Sequence, residues 1–220
     1  MVWCLILGCS FLAFATEVWL IRENGRFQNR RRVTGAEIAR YILDAGGFKQ
    51  TIVDFPREGS QESQSGIEQL YLEKSVYEGG RLLDIAHAAR TAVLKTGIPE
   101  VNFFPSISLK RRLWKVHCFL ILLSWLMVIL GSLSSYLSGI RLAGFLIFLV
   151  TFIVAMIDLP AEWNISHQAM VHLRNSRHFE IDEIIRLKNL MNALRLDGLA
   201  QLFKVPLSFL KIGQHPCIKI

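Results

Sequence analysis

Cysteine is scarce in this chain, four in 220 residues. Cys4 and Cys9 lie in the first apolar stretch, Cys118 in the second and Cys217 near the end. No Cys-x-x-Cys pair occurs, so neither a disulfide framework nor a thiolate zinc site is indicated. Acidic residues are also few, 18 Asp and Glu against 25 Lys and Arg, for a formal net charge of +7. That excess does not read as a nucleic-acid surface, because no basic run is interleaved with exposed aromatics on a recognisable motif. The basic residues instead crowd the ends of apolar segments, where they hold loops inside and meet anionic lipid. Long polar tracts are missing too. With 52% apolar and only 20% charged residues, the composition excludes an ordinary soluble domain and puts membrane spans first.

The stretch Val2 to Ile21 has one charge, Glu17, near its far end, and Trp3 and Trp19 stand where interfacial aromatics belong. It is long enough to cross a bilayer. It reads as a retained anchor, since a signal peptide wants a basic start and a small-residue cleavage site. Ile6-Leu7-Gly8-Cys9 has the look of a lipobox, but too few apolar residues precede it and none is basic. Arg22, Arg26 and Arg30-Arg31-Arg32 then stop transfer. Val116 to Leu133 and Ile140 to Ile157 are two further apolar segments, joined by Ser134 to Gly139, a link short enough to force an antiparallel helical hairpin. Arg141 is the only basic residue on that turn, whereas Lys110 to Arg112, Arg174, Arg177 and Arg186 fall on the other side. The positive-inside rule therefore predicts an integral protein of the inner or plasma membrane whose folded part and tail face the cytoplasm.

Between the spans, Thr34-Gly35-Ala36-Glu37 has the form of a capping box opening a helix. Ile38, Ala39, Ile42 and Leu43 make its apolar stripe, and Gly46-Gly47 stops it. Thr51 to Phe55 and Ile67 to Leu72 have strand character on either side of a polar loop, Pro56 to Gly66. Leu82 to Lys95 has no Gly or Pro and repeats apolar residues every three or four positions, which predicts a buried helix. Glu180 to Leu196 is amphipathic, with Ile181, Ile184, Ile185, Leu190, Met191 and Leu194 on its apolar side. Gly198 to Ile212 is apolar but broken by Lys204 and Pro206, and reads as an interfacial or docked helix rather than a fourth span. The fold class is a mainly α membrane protein with a small α+β unit.

The central helix carries His87, followed by Ala88 and, one turn on, Thr91. A zinc peptidase helix bears His-Glu-x-x-His because ligands at i and i+4 share a face and the Glu can deprotonate metal-bound water. Here the frame is His-Ala-Ala-Arg-Thr. Taken alone, a single His on an apolar helix is more often a hydrogen-bonded core residue. Glu162, in Leu159-Pro160-Ala161-Glu162-Trp163-Asn164, falls on the same predicted side as His87; by itself it is an interfacial carboxylate at a helix start. Asp84 lies three residues before His87 on the same face and, by itself, is a surface or capping charge. Of the other histidines, His167 is about 140° around a helix from Glu162, His117 lies within a span, and His178 and His215 read as surface residues.

The order of these pieces resembles the YugP-type membrane zinc metallopeptidases, a neutral zinc metallopeptidase family. Four stretches carry the likeness: Thr34 to Asp44, Leu70-Tyr71-Leu72 with Ser75-Val76-Tyr77, Ala86-His87-Ala88-Ala89-Arg90-Thr91-Ala92, and Leu159 to Ser166. It implies an N-terminal transmembrane helix over 1–21, a zincin-like α+β cytoplasmic unit over 22–113, a transmembrane hairpin over 114–157 and a cytoplasmic helical C-terminal region over 158–220. It also implies that His87 falls on the first zinc-ligating His, Ala88 on the catalytic Glu, Thr91 on the second ligating His, and Glu162 on a third, acidic ligand. Gln61-Glu62-Ser63-Gln64-Ser65 departs from the family's Asp-His-Tyr-Asp-Pro segment.

A catalytic zinc wants three protein ligands and an open position for water. A Thr hydroxyl is a poor replacement for imidazole, and Ala88 cannot take a proton; losing a general base removes roughly two to four orders of magnitude of rate. The leading expectation is a catalytically inactive pseudoprotease with a degenerate motif, holding no cofactor and binding a peptide or protein partner. The second is a metal-dependent hydrolase with a site rebuilt from Asp84, His87 and Glu162, which zinc, manganese or iron would suit. The third is a structural membrane protein that assembles as a homo-oligomer, with Gly131, Gly139 and Gly144 permitting close helix packing.

Overall fold

The structure, a computed structural model, describes residues 2–55, 69–96, 107–133, 136 and 138–210, with side chains over 7–55, 69–96, 116–133, 136 and 138–206. The polar loop 56–66, the irregular stretch 97–106, half of the hairpin turn and the last ten residues lie outside them, as do the side chains of Trp3, Cys4 and Lys110 to Arg112. The elements run α1 (Val2–Asn24), α2 (Gly35–Ala45), β1 (Ile52–Asp54), β2 (Gln69–Tyr71), α3 (Lys74–Tyr77), α4 (Leu82–Thr96), α5 (Ile107–Ser132), α6 (Ser138–Asn175), α7 (Ile181–Arg195) and α8 (Asp197–Leu210). They fall into two compact units, one of Met1–Thr16, Val101–Pro160 and Leu196–Ile218, the other of Glu17–Glu100, Ala161–Arg195 and Lys219–Ile220.

The second unit is built on α2 and α4. The predicted capping box forms in full: the Glu37 amide donates to Thr34 Oγ1 at 3.3 Å, and Glu37 Oε2 accepts from the Thr34 amide at 2.9 Å. These bonds satisfy donors that every helix start leaves unpaired. At the other end Gly47 takes a φ of 84°, the left-handed conformation that costs glycine nothing. Between the caps Ile38, Ala39, Ile42 and Leu43 are fully buried with Leu82, Ile85, Ala86 and Ala89 of α4, in one core shared by α6 and α7. β1 and β2 pair in parallel, with Ile52 opposite Gln69 and Asp54 opposite Tyr71. β1 is shorter than the predicted run Thr51 to Phe55, and Ile67 and Glu68 of the second predicted run lie outside the described residues.

Two local expectations change. Pro160 lies inside α6, so Glu162 sits within a continuous helix and not at a helix start. In α7 the apolar residues divide between two faces: Leu187, Leu190, Met191 and Leu194 are buried, while Ile181 and Ile185 are 79% and 56% exposed. The buried Glu183 fixes that face, accepting from the Glu180 amide at 2.9 Å and from the Arg30 amide at 2.8 Å.

In the first unit α5 and α6 approach closely where side chains are absent. A Cβ on Gly144 would stand 2.9 Å from Met127 Cβ, and one on Gly131 would overlap the Arg141 backbone, whereas Gly139 faces nothing within 4 Å. α8 packs here through Leu202 and Val205 against Ile121 and Phe148. Pro206 has no amide hydrogen to give the Leu202 carbonyl one turn back, and its ring pushes that carbonyl outward. The Trp125 indole N–H takes up the vacant acceptor, donating to Leu202 O at 3.0 Å. Among the described residues one helix, α6, is long and apolar enough to cross a membrane. Leu142, Leu146, Val150, Ile153 and Ile157 stand exposed along it.

Candidate metal centre

The positions read for metal chemistry all lie in the second unit, on α4 and on the last part of α6. Leu82, Ile85, Ala86, Ala89, Ala92 and Val93 are buried, which fixes the rotation of α4 and with it every other side chain on the helix. His87 is thereby turned to an exposed position, not into the core as a lone histidine would suggest. Ala88 goes the other way. It is fully buried, and a Cβ built on Gly35, the first residue of α2, would stand 3.1 Å from its methyl and overlap the Val76 carbonyl. Position 88 is therefore an element of the α2–α4 contact. The Thr91 hydroxyl donates to the His87 carbonyl at 2.8 Å, a back-bond along the helix that engages its proton locally.

Asp84 occupies the first turn of α4 and accepts a backbone hydrogen bond from Arg81. Burial pushes its carboxyl above the ordinary range, against the weaker opposing pull of the Arg81 amide and charge. Its carboxylate lies against Gly79, where a Cβ would collide with it. It also lines a shallow cleft of about 520 Å³ with Gln28, Lys74, Ser75, Glu78 and Arg81, which His87, Thr91 and Glu162 do not line.

Glu162 meets a cation that no short-range pattern places there. The Arg90 guanidinium pairs with Glu162 Oε2, and its other arm donates to the Leu194 carbonyl at 2.7 Å. The two side chains are only 13% and 20% exposed. Beside them Arg195 lies over the Trp163 ring, 4.2 Å from its centroid, and bonds Asn192 Oδ1 at 2.9 Å. Burial and then the charge of Arg90 lower the Arg195 guanidinium below its usual range.

The donor set does not fit a catalytic zinc. Among the described residues no group of three or more His, Cys, Asp or Glu side chains could hold a metal ion. A divalent ion at Glu162 would face the guanidinium already seated there. What such a surface offers is hydrogen bonding and charge, and the position after His87 is a buried alanine. A family model described as "Putative neutral zinc metallopeptidase" matches residues 2–211, nearly the whole chain. The chain belongs to this family of neutral zinc metallopeptidases. No curated protein and no solved structure matches it. Zinc is thus the ion expected of the family, while the side chains at 84, 87, 88, 91 and 162 are engaged or oriented as described above. Sequence reading missed Arg90, Trp163, Leu194 and Arg195. The available signal was Arg90 itself, the one cation inside an alanine-rich run of buried residues.

Proposed function

We propose that this chain is an integral membrane member of the neutral zinc metallopeptidase family that has lost peptidase chemistry and acts by binding a peptide or protein partner. The observation that carries the reading is the pairing of Glu162 with Arg90: the carboxylate aligned by resemblance with a metal ligand already has a cation opposite it. The burial of Ala88 between α2 and α4 supports the reading further, since the position aligned with the general base has neither a proton acceptor nor contact with solvent. The exposed apolar stripe on α6 supports membrane residence, because roughly 25 cal/mol per Å² opposes leaving such a surface in water. The soluble part facing the cytoplasm follows from the positions of the basic residues.

A hydrolase rebuilt from Asp84, His87 and Glu162 gains no support from the geometry, since Asp84 accepts from the Arg81 backbone and Glu162 faces Arg90. The deciding measurement is metal content and peptide turnover of the detergent-purified protein beside a His87→Ala variant. Substoichiometric zinc and equal background turnover in both are expected. Turnover that requires His87 and stops on chelation overturns the reading.

A further inference from the structure

We propose that Arg90 is the built-in cation of this site: its guanidinium takes, between Glu162 and the end of α7, the place of a bound metal ion, and it staples α4, α6 and α7 together without one. The inference rests on the inactive-scaffold reading and deepens it. Two helices bring a negative charge and a terminal acceptor to this point, and a third brings the cation. Glu162 projects from α6. Leu194 is the penultimate residue of α7, where the last carbonyls of a helix lack intrahelical donors and carry the negative end of its dipole. Arg90 reaches both from α4, one guanidinium arm to each. A planar fork with several fixed donors suits such a bridge, and the compact ammonium of lysine does not. The pair is largely withdrawn from water, so either partner left alone would be a poorly solvated charge. Arg195, held over Trp163, adds a second positive charge beside the first, so two guanidiniums stand near the Glu162 carboxylate and oppose the approach of a divalent ion to it.

The test is thermal unfolding of the full chain in detergent, with and without EDTA, for the wild type and for Arg90→Ala, Arg90→Lys, Glu162→Gln and Arg90→Ala/Glu162→Gln. The wild-type midpoint should not move with EDTA. Arg90→Ala should lower it by roughly 10 °C, and Arg90→Lys should recover only part of that loss. The Arg90→Ala/Glu162→Gln protein should unfold above Arg90→Ala, because it leaves no largely buried carboxylate deprived of its guanidinium. Should Arg90→Ala fail to fold while the double variant folds, the proposal stands. It is overturned if Arg90→Ala melts with the wild type, if EDTA lowers the wild-type midpoint, or if the double variant is no better than Arg90→Ala. Failure of the pseudoprotease reading would show separately, as turnover.

Discussion

Replacing Trp125 by Phe removes a single N–H from the α5–α8 contact and leaves an aromatic ring in place. In the native chain that N–H satisfies the Leu202 carbonyl at 3.0 Å, an acceptor that Pro206 cannot serve. A buried acceptor left without a donor costs about 1–3 kcal/mol. The ring contacts, edge-to-face with Phe203 at 5.6 Å and Phe148 at 6.1 Å, survive in large part with Phe. A loss of about 2 kcal/mol corresponds to a midpoint roughly 4–8 °C lower for a chain of this size. Pro206→Ala supplies the missing helical amide, so Trp125→Phe in that background should cost about 1–2 kcal/mol less. The assay is a double-mutant cycle on thermal midpoints in one detergent. Equal costs of Trp125→Phe with and without Pro206 would refute the reasoning, since the indole would then act through packing alone.

Asp84→Asn should stabilise the protein at neutral pH. Burial favours the protonated carboxyl in the folded chain, so the folded state holds its proton to higher pH than the unfolded one. Stability therefore falls as pH rises from the ordinary carboxylate value, about 4, through the raised native value, and the penalty is complete above it. The variant's advantage should appear at pH 7 and vanish near pH 3 in midpoints measured across that range; a pH-independent difference would exclude the carboxyl as its source. Glu183→Gln should release one of two backbone donors, because an amide offers a single oxygen where the carboxylate accepts from both Arg30 and Glu180. Hydrogen exchange at one of those two amides should accelerate markedly, and unchanged protection at both would count against the bond pair.

What the sequence disclosed was local. The capping box at Thr34 and Glu37, the stop at Gly46-Gly47 and the buried face of Leu82 to Lys95 are written in neighbouring residues, and each forms, the last with the helix running one residue further to Thr96. The strands at 52–54 and 69–71 were visible as β-branched or alternating runs; their parallel pairing was not, since it depends on how the chain returns. α7 misled because its apolar residues span more than one face, and only the partner helices decide which face is covered. The Arg90–Glu162 pair joins residues 72 apart and obeys no short-range pattern. His87 looked like a core residue because its neighbours are apolar, yet one residue of rotation separates it from the fully buried Ala88.

The contact between Ala88 and Gly35 bears on how readily such a chain could change in evolution. A surface alanine can become glutamate by a single codon change with little structural penalty. Here the larger side chain would drive a carboxylate between two helices that meet at a methyl and a bare backbone, with the Val76 carbonyl immediately behind. Room would have to be made on α2 and α3 in the same step, and each intermediate would fold less well than its parent. The close approach of α2 and α4 thus acts as a ratchet: with alanine at 88, drift can refine the helix contact far more easily than it can introduce a proton acceptor at that position.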